Sequence, residues 1–380
     1  MLKLKRRLCL FAAVLLCFAL LASCEDDDGN VSGNASDGII SDESPDTSPD
    51  DSPDNSPDES PDETLPDETD DETIDITDDD ETIDITDDDL NEMNAFPMTF
   101  TKMSDSLYRM ECVAPDGNTL LLTFNKKDWG TYNIGSWTVV SEDKTVTLAG
   151  GGTDWEYVFR SGETASGWVW SGGNHDNESL VSIDFYNGRN DKKLSLQNNA
   201  PVELENIKIV EKTKLHWGDA ENTYCDVVRT YMVVGNRISL AVSYEYTKDC
   251  YHWLSYTCMF PVWKDYGRYI TFFDADGSNL GKVTTQAAND PAFEGAFYRG
   301  YEATTCIITG DTNPEYKFMI KVDTVTDSLD DFKNDDKTFY WDMNAAQNKL
   351  YYSKYNSAAP TLVEAGTKYD TYSTWVFYVG

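Results

Sequence analysis

Residues 227–246 read VVRTYMVV, then GN, then RISLAVSYEY, and this stretch decides the fold class. In its second arm Ile238, Leu240, Val242, Tyr244 and Tyr246 fall on one parity. Arg237, Ser239, Ala241, Ser243 and Glu245 fall on the other. A period of two marks a strand that buries one face. Gly235-Asn236 between the arms suits a primed hairpin turn, because glycine enters positive φ without steric cost.

The same signature recurs on both sides of this hairpin. Ser106–Val113 and Thr119–Phe124 flank the turn Pro115-Asp116-Gly117-Asn118. Gly135–Val140 and Thr145–Leu148 flank Ser141-Glu142-Asp143-Lys144, and Asp154–Phe159 and Ser166–Trp170 continue the series. Short strands broken by Gly, Asn and Asp predict an all-β protein. Helical periodicity is scarce, with Asp327–Asn334 and Met343–Leu350 as two short candidates. A boundary near Asn198-Asn199-Ala200-Pro201 divides the expected fold. Residues 95–198 form a small antiparallel, barrel-like β-meander, and 199–380 a larger antiparallel β-sandwich. Through Gly130-Thr131-Tyr132, Gly135–Val139 and Thr145–Leu148, residues 119–160 resemble the small lipocalin-like β-domains of bacterial lipoproteins. The second half resembles a sugar-mutarotase-like supersandwich in outline, a likeness that no single residue carries.

The aromatic residues are confined to this globular part. Residues 95–380 hold all 10 Trp, all 22 Tyr and 14 of the 16 Phe, enough for a large core. Residues 25–94 contain 30 Asp or Glu and no Lys or Arg. There a Ser-Pro-Asp-x unit runs five times from Ser44, and the nine residues 72–80 repeat as 81–89. Such a chain cannot bury enough apolar surface to offset its ordering entropy, so residues 24–94 are expected to form a disordered acidic stalk. Its reach is roughly 50 Å as a coil and about 200 Å if fully extended. The stalk carries −30 of the total charge of −38, and residues 95–380 hold 26 basic and 38 acidic groups. No basic patch is concentrated enough to neutralise phosphates, so nucleic acid is not an expected partner.

The N-terminus carries a basic segment, Lys3-Leu4-Lys5-Arg6-Arg7, and then the apolar run Leu8–Leu21. Fourteen residues are too few to span a bilayer, which needs roughly 20, so residues 1–23 read as a secretory signal. Leu21-Ala22-Ser23-Cys24 resembles a bacterial lipobox. The resemblance implies lipid on the sulfur of Cys24, a membrane partner through that lipid, and a place in the cell envelope. Glu25-Asp26-Asp27-Asp28 resembles the surface-export signal of Bacteroidetes-type lipoproteins and implies display on the outer membrane surface.

Apart from Cys9, Cys17 and Cys24, five cysteines remain, an odd number that allows at most two disulfides. Cys225, Cys250, Cys258 and Cys306 are the candidates, with Cys112 left over. On one straight strand Cys250 and Cys258 would stand roughly 26 Å apart, beyond the limit of about 7 Å, so each is expected to pair with Cys225 or Cys306.

Chemistry-bearing motifs are few. No HExxH, CxxC, phosphate loop or GxSxG elbow occurs, and nothing calls for a cofactor or a metal. His175-Asp176-Asn177-Glu178 and His216–Glu221 read as turns, and Asp274–Asn279 as a hairpin turn that lacks the calcium-loop glycine. The richest stretch is Tyr251–Phe260. On a single strand Leu254, Tyr256, Cys258 and Phe260 share the core face, with His252 at its end, while Tyr251 and Trp253 form a platform on the other. Trp168 and Trp170 repeat that spacing. Flat ring pairs suit stacking on a sugar, and Trp263, Tyr266 and Arg268 could complete a cleft. Three classes follow: a non-catalytic binder of glycan or of an extracellular protein, a polysaccharide lyase or hydrolase using Tyr251, His252 and Arg268, or a structural envelope component.

Overall fold

The computed structural model describes residues 97–379 except 115, 151–152, 302 and 323–337, and the side chains of 356–358 are also left aside. The signal segment, Cys24, the acidic stalk and the helix expected over Asp327–Asn334 lie outside the described residues.

The described strands run in chain order as β1 (Met98–Lys102), β2 (Leu107–Val113), β3 (Thr119–Lys126), β4 (Tyr132–Val140), β5 (Thr145–Gly150), β6 (Val158–Gly162), β7 (Val169–Ser171), β8 (Glu178–Asn187), β9 (Lys192–Lys193), β10 (Pro201–Leu204) and β11 (Ile207–His216). They continue as β12 (Thr223–Val234), β13 (Arg237–Tyr246), β14 (Cys250–Trp263), β15 (Tyr269–Phe273), β16 (Asn279–Thr284), β17 (Ala296–Arg299), β18 (Thr305–Thr309), β19 (Tyr316–Val322), β20 (Thr338–Asp342), β21 (Gln347–Val363) and β22 (Lys368–Val379). A four-residue helix, α1 (Lys264–Gly267), follows β14.

These strands make two antiparallel sheets. One has twelve strands in the order β10-β1-β2-β3-β4-β5-β14-β21-β20-β17, with β6 joined to β14 and β7 joined to β6. The other has ten, in the order β16-β15-β18-β19-β22-β13-β12-β11-β8-β9. The fold is therefore all-β, as the alternation predicts. The deciding hairpin is β12–β13, with Val234 opposite Arg237. Ile238, Leu240, Val242, Tyr244 and Tyr246 are all buried. Positive φ is confined to the first turn residue, Gly235, which is the II′ pattern.

Asn198–Pro201 is a crossover between sheets rather than a gap between a meander domain and a sandwich domain. The chain leaves β9 in the ten-stranded sheet and enters β10 beside β1 in the other. Asn199 turns there with φ 60, its N–H bonded to the Lys102 carbonyl at 2.7 Å. Strands from both sides of the crossover pair in each sheet, β6 with β14 and β8 with β11. All described residues belong to one compact unit. The expected helix over Met343–Leu350 is instead a turn running into β21, and the strand expected from Asp154 begins only at Val158.

The core lies between the sheets. Trp155 packs edge-on against Phe260 at 5.1 Å, and Trp137 stacks on Phe318 at 6.1 Å. The Trp375 indole N–H donates to the Met259 carbonyl at 2.9 Å, tying β22 to β14 across the sandwich. Each fully buried ring of this size contributes about 1.5–3 kcal/mol by leaving water. β14 is unusual in that Thr257–Val262 are all buried. Alternation would bury only one face of an outer strand, so both faces of β14 are covered. Cys258, Phe260 and Val262 belong to the main core, while Met259 belongs to a separate cluster with Val158 and Tyr351.

Candidate functional site

That second cluster is the floor of the candidate site, on the outer face of the twelve-stranded sheet. Val158, Met259 and Tyr351 are buried, and Trp170, Tyr256, Phe339 and Trp341 pack around them. Tyr351 lies 4.7 Å from Tyr256 and 4.7 Å from Phe339, nearly parallel to the latter at 15°. Phe297 stacks on Trp341 at 5.2 Å and is 65% exposed. Register explains the belt: Phe339 and Trp341 are two apart on β20, and Phe339 sits opposite Tyr351.

At the other end β6 lies between β7 and β14. Arg160 is opposite Trp170 on one side and Leu254 on the other. Its guanidinium carbon is 4.2 Å from the centre of the Trp168 ring and 5.6 Å from that of Trp253. Trp168 meets Trp170 at 5.9 Å, edge to face, and is 44% exposed. His175 stacks on the opposite flank at 5.0 Å from Trp170. Beside the floor, Lys349 Nζ lies 3.1 Å from Asp154 Oδ2 and 5.0 Å from the Tyr351 ring centre. Asp154 also accepts the Asn174 N–H, and Lys127 donates to the Asn174 side chain. Burial pulls the His175 imidazole and the Lys349 ammonium below their usual ranges, against the opposing pull of Asp154 on both. The result is a belt of rings with polar groups along its edge, the mixture that orients a partly apolar ligand.

β6 and β7 are held from beneath by Tyr224. Its hydroxyl lies 3.0 Å from Ser161 Oγ and 2.7 Å from Ser171 Oγ, and its ring stacks on Trp217 at 4.5 Å. Ser161 and Ser171 are the inward neighbours of Arg160 and Trp170, so this contact fixes the height of the outward pair. Tyr224→Phe is expected to cost about 1–2 kcal/mol by removing a buried hydrogen-bond partner from Ser171 and from Ser161, the latter keeping the Trp217 indole N–H at 3.3 Å. Amide exchange should then accelerate in β6 and β7 before the rest of the fold. Uniform acceleration would instead mean that Tyr224 stabilises the whole sandwich without positioning these strands.

The structure brings Trp168, Trp170 and Trp253 together, although they stand far apart in sequence. Tyr251 lies at the N-terminal end of β14, opposite Gly162 and Leu362. His252 is not available to a ligand. It is fully buried, with Nε2 2.7 Å from the Tyr246 hydroxyl and its ring edge-on to Phe159 at 5.0 Å. Burial pushes its pKa down to about 3. Tyr256 leaves the core face for the outer cluster, because register shifts at Ser255/Tyr256 and Tyr256/Cys258 reverse the expected parity. Trp263 ends β14, Tyr266 lies in α1 and Arg268 just after it, roughly 30 Å from Trp253 at the usual strand rise. There Tyr266 packs on Tyr316 at 5.8 Å, and Arg268 is ion-paired with Asp311 at 2.7 Å. The set Tyr251, His252 and Arg268 therefore does not converge.

The expected disulfides are not formed. Cys112, Cys225, Cys250, Cys258 and Cys306 are all buried thiols. Tyr352, the cross-strand neighbour of Cys258, donates its hydroxyl to Cys306 Sγ at 3.0 Å. Cys225 and Cys250 are neighbouring but separate thiols, burial and then the nearby Cys250 pushing the Cys225 thiol up. Among the described residues no three His, Cys, Asp or Glu converge to hold a metal ion. Asp274–Ser278 is the hairpin turn expected, with Asp274 Oδ1 accepting from the Ser278 N–H at 2.8 Å.

A second polar centre lies sealed inside the sandwich. Glu211 is directly opposite Arg229 on β11–β12, and Glu211 Oε2 is 2.7 Å from Arg229 Nη2. Glu178 Oε1 is 3.6 Å from the same nitrogen and accepts from Thr213 at 2.6 Å and from the Tyr157 hydroxyl. Glu156 accepts from the Ile134 N–H at 2.7 Å and the Tyr231 hydroxyl at 3.1 Å. The Tyr132 N–H donates to Glu211 Oε1 at 2.8 Å. Glu156, Glu178, Glu211 and Arg229 have essentially no solvent exposure, so this centre joins the sheets rather than meeting a ligand.

No protein-family model matches the chain, and no curated protein is similar to it. Among solved structures it is similar to the galactosidase domain of an alpha-galactosidase-sucrose kinase, AgaSK, at 10% identity and a TM-score of 0.44, over 74% of this chain and 42% of that one. GH36 alpha-galactosidase AgaB from Geobacillus stearothermophilus matches at 10% identity and 0.43, over 74% and 41%. Slr1438 protein from Synechocystis sp. PCC 6803 matches at 9% identity and 0.41, over 72% and 96%. The chain spans about two-fifths of the length of the two galactosidases.

Proposed function

We propose that this chain is a lipid-anchored envelope protein whose β-sandwich binds an extracellular glycan without turning it over. The observation that carries the reading is the continuous outward belt from Trp168 through Tyr351 to Phe297, edged by Arg160, His175 and Lys349. Trp168 and Phe297 are exposed at the two ends of this belt, and exposed aromatic surface continuous with a packed cluster marks a binding face. Pyranose rings present flat C–H faces to indoles and hydroxyls to their edges, which is the pattern of this belt. Lipid at Cys24 and an acidic spacer of residues 24–94 would hold the face away from the membrane, on the outer surface.

Aromatic anchors of an interface commonly cost 2 kcal/mol or more when truncated, so Trp253→Ala should weaken glycan binding about 30-fold. The check is a glycan array and affinity titration with the full chain, with circular dichroism to show that the variant is folded. Absence of any glycan ligand, or unchanged affinity in the folded variant, would remove the reading. Release of reducing or unsaturated sugar by the wild-type chain would replace binding with catalysis.

A further inference from the structure

We infer that the ligand of this face is an anionic glycan, bearing carboxylate or sulfate groups, and that Arg160 recognises the charge. The inference rests on the glycan reading above and adds the substrate class to it.

The argument starts from what Arg160 lacks. Arg109, Arg189, Arg229 and Arg268 each hold a carboxylate within ion-pair distance. Arg160 has no carboxylate partner among the described residues, although acidic groups outnumber basic ones, 38 to 26, in residues 95–380. Its Nε is shielded from solvent and has no acceptor, and the neighbouring Trp253 indole N–H is in the same condition. Two shielded donors side by side without acceptors are costly unless something supplies the acceptors.

The geometry also suits an anion. The guanidinium rests against Trp168 and Trp253, which limits its motion without consuming its hydrogen bonds. A guanidinium held this way keeps its planar fork for a carboxylate or sulfate, which it matches in a bidentate manner. The remaining cations of the face are already engaged, Lys349 with Asp154 and Lys127 with Asn174. Trp168 and Trp170 would carry the sugar ring while its charged substituent meets Arg160.

The test is titration calorimetry of the full chain at roughly 0.15 M ionic strength, where long-range repulsion from the acidic chain is screened. The probes are trigalacturonate and its methyl ester, and a sulfated galactan oligosaccharide and its desulfated form. At least one charged form should bind about tenfold more tightly than its neutral partner, as expected for a charge-assisted pair. Whichever pair gives the larger ratio identifies the anionic group. Arg160→Gln should abolish that ratio, and Arg160→Lys should restore part of it, since lysine supplies charge without the fork. Equal binding of charged and neutral forms defeats this inference and leaves the glycan reading intact. A ratio that survives in folded Arg160→Gln defeats it as well. Failure of all four probes to bind defeats this inference, and the glycan reading then stands or falls on the array.

Discussion

At pH 9, above the value of about 8 to which burial pushes Glu211, replacing Arg229 by methionine should lower the unfolding free energy by about 3–5 kcal/mol, the usual cost of stranding a buried charge. Arg229 is the cation within reach of two carboxylates, Glu211 at 2.7 Å and Glu178 at 3.6 Å, and neither has access to water. Methionine fills much of the same volume, so the loss measures charge rather than a cavity. Denaturant unfolding would show it as a lower midpoint with an unchanged slope. In a background where Glu178 and Glu211 are both glutamine, the same replacement should cost far less, because no carboxylate is then left behind. That difference is the coupling energy of the cluster. A loss below about 1 kcal/mol in the wild-type background would mean that water reaches the carboxylates and that the sandwich is not sealed there.

This centre and the aromatic face were legible in the sequence to different degrees. On β11, Glu211 and Thr213 occupy the parity of Ile207, Ile209 and Leu215, and on β12 Arg229 shares that of Val227 and Tyr231. A charge at an inward position of an apolar alternation is a readable sign of a buried ion pair. Trp168, Trp170 and Trp253 are readable as paired rings, but not as one site. Their meeting depends on β6 lying between β7 and β14, a long-range pairing that no local pattern encodes. Arg160 then lies among them only because its inward neighbours, Phe159 and Ser161, face the core. Phe339 and Trp341 carry the same i, i+2 signal as Trp168 and Trp170.

The misplaced residues have local causes. β14 reads as one uninterrupted alternation, yet it shifts register at three places along β21. Each shift turns the next side chain to the opposite face. His252, which precedes the shifts, keeps its core-face parity and packs against Tyr246, while Tyr256 goes outside. Trp263, Tyr266 and Arg268 are near Trp253 in sequence, but a strand of this length carries them to the opposite end of the sheet. The crossover at Asn198–Pro201 has the composition of a linker because it bridges the two sheets. Both layers of the sandwich are completed by chain from either side of it, so one core serves residues 97–379.

Glu211→Gln should stabilise the protein by ~4 kcal/mol at pH 9 and by well under 1 kcal/mol at pH 4.5, the difference arising from one buried carboxyl. Burial pushes Glu211 up to about 8, against the attraction of Arg229 and aided by the repulsion of Glu178. A folded-state pKa above the unfolded value of 4.5 means that the contribution of this group is fully present below pH 4.5. It is lost as pH rises through about 8, because the folded chain must then hold an ion that the unfolded chain solvates freely. Glutamine keeps the neutral shape of the protonated acid, can still accept the Tyr132 N–H, and has no proton to lose. Wild-type stability should therefore fall between pH 4.5 and 8 by more than that of the variant. Unfolding midpoints measured across this range should give two curves that nearly meet at the acid end and separate steadily toward alkaline pH. Parallel curves would show that Glu211 is already ionised at neutral pH and that Arg229 alone outweighs its burial.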